Sequence, residues 1–294
     1  MTDITLLDGG MGQELVRRSG DRATPLWATQ VMLDHPGMVA DVHRAYRDAG
    51  ATVATTNTYA IHRDRLAGTP YADQFQSLYD RALTEAETGC DGVGRIAGAI
   101  GPLIASYRPD IHPTPDVAIP LYAEAAALMA PRVDLILCET VASVDHARAV
   151  LAGALTAGKP VWLAVTVDDT DGTRLRSGEP VAKVLDVVQG AAALLVNCTA
   201  PEAIRATLDL FAQGDLPFGA YANRFTQITN DFLKDKPTVD SLSARQDLTP
   251  AAYAEHAMGW IAQGATIVGG CCEVGPSHIA ALAAAITDAG HRIV

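Results

Sequence analysis

Eight short, mostly apolar runs recur along the chain: Ile4–Asp8, Ala51–Asn57, Arg95–Gly101, Leu135–Thr140, Val161–Val167, Ala193–Cys198, Pro217–Asn223 and Ala265–Cys271. Most lack polar alternation, as expected of parallel strands covered on both faces. Their ends lie roughly 25–50 residues apart, enough for one crossover helix between neighbours. The intervening segments carry helical periodicity and its punctuation. Val39, Val42, Tyr46 and Ala49 repeat at helical spacing after Pro36 and stop at Gly50; Tyr71, Phe75, Leu78, Tyr79 and Leu83 form a second stripe closed by Gly89. Further helices are expected over Ile119–Ala130 and Ser143–Ala157. Four more start at Pro180, Pro201, Pro250 and Pro276 and stop at Gly190, Gly214, Gly264 and Gly290. Proline just inside a helix start and glycine just past its end is the favoured arrangement. Thr249 before Pro250 suits an N-cap.

Eight strands alternating with eight helices predict an α/β chain folded as a single (β/α)8 TIM barrel over residues 1–294. The runner-up is a doubly wound open sheet. It is disfavoured because the first strand–helix junction, Asp8-Gly9-Gly10-Met11-Gly12-Gln13, lacks the spacing of a dinucleotide fingerprint. The polar stretch Arg224–Thr249 is the longest loop candidate and would overhang the active-site face of such a barrel.

Reactive side chains gather at the strand ends, where a barrel of this kind builds its site. Asp8-Gly9-Gly10 ends the first strand and Thr55-Thr56-Asn57-Thr58-Tyr59 the second. Cys138-Glu139-Thr140 ends the fourth, Asn197-Cys198-Thr199 the sixth, and Gly269-Gly270-Cys271-Cys272-Glu273 the eighth. Three cysteines on two strand ends can converge on one zinc ion, leaving a fourth position open as catalytic sites do. Neighbouring strand residues point to opposite faces, so the backbone must leave strand geometry for Cys271 and Cys272 to share a metal. Gly269 and Gly270 would permit that. A chance pair in a strand of small residues is the bland reading of the same letters. Cys90 and Cys138 read as buried filler, and His35 and His278, near helix starts, as local polar groups.

Composition narrows the class. With 49% hydrophobic and 19% charged residues the chain reads as soluble and globular, and its net charge of −12 argues against nucleic acid or an anionic membrane surface as partner. No leader and no apolar run of about 20 residues is visible, so a cytoplasmic address is expected. In a reducing compartment the five cysteines are not expected to pair.

The stretches Leu6-Leu7-Asp8-Gly9-Gly10-Met11-Gly12, Thr56-Asn57-Thr58-Tyr59, Cys138-Glu139-Thr140, Val196-Asn197-Cys198 and Gly269-Gly270-Cys271-Cys272-Glu273-Val274-Gly275-Pro276 resemble, in order, those of the homocysteine-binding methyltransferases. That family includes enzymes using betaine or S-methylmethionine and the homocysteine module of cobalamin-dependent methionine synthase. The resemblance runs from Leu6 to about Ile279. It implies zinc held by Cys198, Cys271 and Cys272, and homocysteine's amino-acid end held by Asp8, Gly9 and Glu139, with Thr56, Asn57 and Tyr59 on the substrate side. Two departures concern the methyl donor. Tyr221-Ala222-Asn223-Arg224-Phe225-Thr226 replaces a Tyr-Pro-Asn followed by a small residue, Gly and Glu, and Thr140 stands where betaine-using relatives place a tyrosine. No cobalamin or folate module is expected after the eighth helix.

The expected reaction is methyl transfer from a sulfonium or quaternary ammonium donor to the homocysteine thiol, giving methionine. S-methylmethionine is favoured over S-adenosylmethionine because no adenosine-binding motif is visible. A thiol is mostly protonated at neutral pH, and coordination to zinc would deprotonate it. Two other classes remain open on sequence: a non-catalytic zinc- or homocysteine-binding barrel, with Glu273 as fourth ligand of a closed site, and a zinc hydrolase with Glu139 as base.

Overall fold

The computed structural model describes residues 1–21, 24, 26–226, 228, 233 and 243–294. Among the described residues nine strands form one parallel sheet: β1 (Asp3–Leu6), β2 (Val53–Thr55), β3 (Arg95–Ile100), β4 (Leu135–Val141), β5 (Val161–Val165), β6 (Ala193–Asn197), β7 (Phe218–Ala222), β8 (Ile267–Gly270) and β9 (Arg292–Ile293). The order is β2-β3-β4-β5-β6-β7-β8-β1-β9, so sequence neighbours pair from β2 to β8 and β1 then pairs with β8. Each of the eight sequence-expected runs overlaps one of β1 to β8, with β1 starting one residue earlier and β4 ending one residue later than expected. The sheet is curled. Beyond its ladder with β8, β1 reaches toward the other edge, where Leu7 bridges Val53, Asp8 N–H donates to Val53 O (3.1 Å) and Thr52 N–H to Leu6 O (2.7 Å).

The helices are α1 (Met11–Ser19), α2 (Trp27–Asp34), α3 (Met38–Asp48), α4 (Arg63–Leu66), α5 (Phe75–Cys90), α6 (Pro115–Met129), α7 (Val144–Leu155), α8 (Pro201–Phe211), α9 (Pro250–Ala262) and α10 (Pro276–Asp288). The expected cap at Thr249 is in place, its Oγ1 accepting from Ala252 N–H, and Ser143 Oγ caps α7 in the same way by accepting from His146 N–H. The helix expected after Pro180 is instead a 3-10 segment, Val181–Asp186. Val181 and Val184 are both buried, and at spacing three they fall on one side of the tighter helix. β-branched side chains also crowd a longer α-helix there.

Two apolar clusters follow from this arrangement. One is the sandwich of helices on the outer sheet face, with Tyr46, Tyr79, Tyr122, Tyr253 and Trp260 fully buried. The other is enclosed by the sheet and includes Leu7, Val53, Leu137, Trp162, Leu195, Tyr221 and Ile267. Because inward and outward positions are both apolar, the strands read as continuous apolar runs. Among the described residues no helix is long and apolar enough to cross a membrane.

Candidate metal and substrate site

The carboxyl ends of β6 and β8 bring three sulfurs together. The Sγ atoms of Cys198, Cys271 and Cys272 all lie within 4.8 Å of one another. Cys272 Sγ is 3.6 Å from Cys198 Sγ and 4.0 Å from Cys271 Sγ. Cys198 and Cys271 meet sulfur to sulfur as a disulfide, with Cα atoms 5.7 Å apart. This corrects the expectation that no cysteine pairs. It holds for Cys90, Cys138 and Cys272, but the convergence of two strand ends puts Cys198 and Cys271 within bonding reach. A disulfide and a pair of thiolate ligands are alternative states of one cluster. Cys90 and Cys138 stand outside it.

Backbone strain marks the same places. Cys198 has φ +49°, Glu273 φ +64° and Thr140 φ +58°, all left-handed and none glycine. Such strain persists only where the surroundings over-determine it, and it concentrates at functional sites. The break that lets Cys271 and Cys272 share a cluster is a turn, closed by Val274 N–H donating to Cys271 O (3.1 Å). Gly269 and Gly270 serve it by leaving room, not by unusual torsion. A Cβ on Gly269 would sit 2.5 Å from Leu7 Cβ, and one on Gly270 2.1 Å from Val274 Cγ1. Gly9 and Gly10 work likewise from the opposite side, with virtual Cβ atoms 2.1 Å from Val274 O and 2.6 Å from Cys271 O. Gly10 N–H and the Tyr46 hydroxyl both donate to Val274 O, at 2.9 and 3.0 Å. The Asp-Gly-Gly turn therefore clamps the cysteine turn.

Two carboxyl groups line the same cavity as the sulfurs. Asp8 is 2% exposed; its Oδ2 accepts from Thr55 N–H at 2.7 Å, yet burial still pushes its pKa up to about 7. Glu139 is pushed up to about 8, by burial first and the Asp8 charge second, while the Tyr221 hydroxyl donating to Oε2 (3.2 Å) opposes the shift. Two buried carboxyls, Glu139 raised in part by the charge of Asp8, favour a cation beside them. Burial also pushes the Cys272 thiol up to about 12, so that sulfur stays protonated at neutral pH unless a cation joins it.

A cavity of about 790 Å³ joins these groups and is lined by Asp8, Gly9, Thr56, Asn57, Tyr59, Glu139 and all three cluster cysteines, so every sequence-expected site residue faces one space. Their polar atoms differ in availability. Thr56 Oγ1 accepts from Ala99 N–H (3.0 Å) and bonds Thr58 Oγ1 (2.7 Å), and Asn57 Nδ2 donates to Ala28 O (3.2 Å), so both hold neighbouring backbone. The Tyr59 hydroxyl bonds Ser106 Oγ at 2.7 Å. Trp27, Tyr71, Tyr107, Tyr221 and Phe225 add aromatic walls.

The sequence motifs did not reveal what several site residues do. Asn197, the residue before Cys198, bonds Thr140, and Tyr221 supports Glu139. Arg224, one of the departures after β7, donates to Glu273 O and Arg245 O, both at 2.8 Å, and so latches the cysteine turn. Gln13 stands beside Cys272. Their roles rest on contacts between distant segments, which no local pattern encodes. Most of the Arg224–Thr249 loop lies outside the described residues. Its base is paired, Phe225 with Ala244, and Thr226 N–H donates to Ser243 O (2.9 Å). His35 pairs with Asp21 (2.6 Å), and His278 Nδ1 accepts from Gly275 N–H (3.3 Å) at the start of α10, the local roles expected of both.

Known proteins resemble this chain over nearly its whole length. The homocysteine S-methyltransferase of Escherichia coli is 29% identical, with 96% of this chain and 95% of that protein covered. The homocysteine S-methyltransferase YbgG of Bacillus subtilis is 25% identical over 96% and 94%. The crystal structure of the metallated form of the E. coli homocysteine methyltransferase MmuM superposes with a TM-score of 0.80 at 27% identity, covering 96% of each chain. The homocysteine S-methyltransferase family model matches residues 5–286, and the chain belongs to that family.

Proposed function

We propose that this cavity carries out zinc-dependent transfer of a methyl group from a sulfonium donor to the thiol of L-homocysteine, on a single (β/α)8 barrel spanning residues 1–294. The barrel reading is supported by the Leu7–Val53 bridge, which joins β1 to β2 across the curl. The observation that carries the functional reading is the meeting of three cysteine sulfurs and two buried carboxyls on one cavity.

The donor set fits zinc. Three sulfurs within 4.8 Å of one another suit thiolate ligation, and no fourth His, Cys, Asp or Glu joins them among the described residues. A closed structural site would need one, and Glu273 is not part of the cluster. Bound by Cys198, Cys271 and Cys272, zinc would supply a Lewis acid that removes the proton of a thiol offered at its open side. The chain's own groups do the rest. Asp8 and Glu139 hold the homocysteine ammonium, whose charge draws both carboxyls back toward ionisation. Tyr221 fixes Glu139 by its hydroxyl. The uncapped start of α1, after Gly9 and Gly10, offers first-turn N–H groups to the carboxylate. The aromatic walls suit a cationic donor. The substrate sulfur attacks the donor methyl in line; the new S–CH3 bond forms as the donor's S–CH3 bond breaks. The bonding pair leaves with the donor sulfur, which becomes a neutral thioether.

The test is to incubate zinc-loaded protein with homocysteine and S-methylmethionine, S-adenosylmethionine or betaine and detect methionine. No methionine from any donor defeats the proposal.

A further inference from the structure

Gln13 lies in the first turn of α1 with 9% exposure, and neither its Nε2 nor its Oε1 has a hydrogen-bond partner although both are fully buried. It lines the same cavity as the three cysteines. The helix that carries it starts at Gly10, which packs on the cysteine turn so closely that a Cβ there would be 3.2 Å from Cys272 Cα. The unpartnered amide is therefore enclosed in the same space as the sulfur cluster. A buried amide without a partner is costly, and an apolar side chain would fill the space without that cost. A neutral thiol is a weak acceptor, whereas sulfur carrying negative charge accepts strongly.

We propose that Gln13 is a positioning residue for the metal cluster, its amide N–H donating to Cys272 Sγ once that sulfur ligates zinc. The inference rests on the zinc reading above. The uncapped positive end of α1 acts in the same direction on the same sulfur. Partners of this kind orient a ligand and hold its charge, and their loss weakens metal affinity by about 10–100-fold.

The experiment compares the full-length wild type with Gln13→Met, Gln13→Glu and Cys272→Ala, measuring zinc affinity by competition with a chromophoric chelator and the Tm of the reduced, metal-free forms. Gln13→Met keeps size and shape but has no N–H, so zinc binding weakens about 10–100-fold while the metal-free Tm stays level or rises. Gln13→Glu, which sets a negative charge beside the sulfurs, weakens zinc further. If Gln13→Met binds zinc as tightly as wild type while Cys272→Ala does not, the Gln13 proposal is overturned. A lowered metal-free Tm with zinc affinity intact marks a purely structural role and overturns it equally. If Cys272→Ala keeps wild-type zinc affinity, Cys272 leaves the ligand set and the three-cysteine zinc site on which the inference rests fails with it.

Discussion

Asn197 and Thr140 exchange two hydrogen bonds across the carboxyl ends of β6 and β4: Thr140 N–H donates to Asn197 Oδ1 at 3.0 Å, and Asn197 Nδ2 donates to Thr140 Oγ1 at 3.3 Å. Thr140 follows Glu139 and Asn197 precedes Cys198, so one buried amide couples the carboxyl to the sulfur cluster. Thr140 and Cys198 both have positive φ, and this pair holds that backbone in place. Asn197→Ala leaves the Thr140 N–H buried without an acceptor, at a cost of about 1–3 kcal/mol. Denaturant unfolding should show that loss, and homocysteine KM should rise. Full stability in this variant would remove Asn197 from the role.

Replacing Cys198, Cys271 or Cys272 by alanine should abolish a zinc stoichiometry near one. The fold has two large apolar clusters that do not depend on the metal, so the variants should remain folded, unlike zinc-finger peptides. Metal analysis after desalting, with circular dichroism, checks both halves. A variant that keeps all its zinc takes its cysteine out of the ligand set.

Asp8→Asn and Glu139→Gln should keep zinc and lose homocysteine affinity. Each removes a charge-assisted contact worth roughly 1.5–3 kcal/mol, an effect of about tenfold or more on KM. Unchanged homocysteine kinetics in both would refute the assignment.

The same two groups make the substrate-free protein sensitive to pH. Asp8 and Glu139 have folded-state pKa values raised to about 7 and about 8, above their ordinary values of 3.8 and 4.5. The folded state thus keeps protons that the unfolded chain releases. Their contribution to stability is fully present below about pH 4 and is lost as pH rises through 7 and 8. Urea unfolding of the metal-free protein should show a lower free energy at pH 8.5 than at pH 6, by roughly 1–4 kcal/mol. The Asp8→Asn, Glu139→Gln double variant should flatten the slope; an unaltered slope would place the titration elsewhere.

The strands and the chemistry at their ends were legible because each sits within one local run. An apolar stretch marks a doubly covered strand, and polar or reactive residues at its carboxyl end mark the rim. What stayed hidden depends on contacts between segments. The α1 helix, Met11–Ser19, follows Asp-Gly-Gly without a proline start or a long apolar stripe. β9 is two residues long and exists through pairing with β1. The role of Gly269 and Gly270 looked like torsional freedom and proved to be space, which depends on where Leu7 and Val274 lie. Arg224 departs from its relatives' pattern and latches a turn 49 residues away in the chain, so no local motif could announce it.

The methyl donor is the part of the proposal most exposed to test. A thiolate attacking a methyl group needs a leaving group that departs neutral, and sulfonium donors are better alkylating agents than betaine. The cavity is lined by aromatic rings that a cation could approach. Trp27 lines it edge-on to Tyr59, with ring centroids 6.3 Å apart, and is held by close packing on Gly12, where a Cβ would meet the indole at 2.1 Å. A desolvated cation over such a ring gains about 0.5–2 kcal/mol. Trp27→Leu should therefore raise donor KM by about 2–30-fold and leave homocysteine KM within about twofold, while Trp27→Phe keeps most of the affinity. Steady-state kinetics with each substrate varied in turn separate the two. S-methylmethionine should support the fastest turnover and betaine the slowest. Turnover with betaine alone, or an equal rise of both KM values in Trp27→Leu, would refute the donor assignment and leave the zinc–homocysteine half standing.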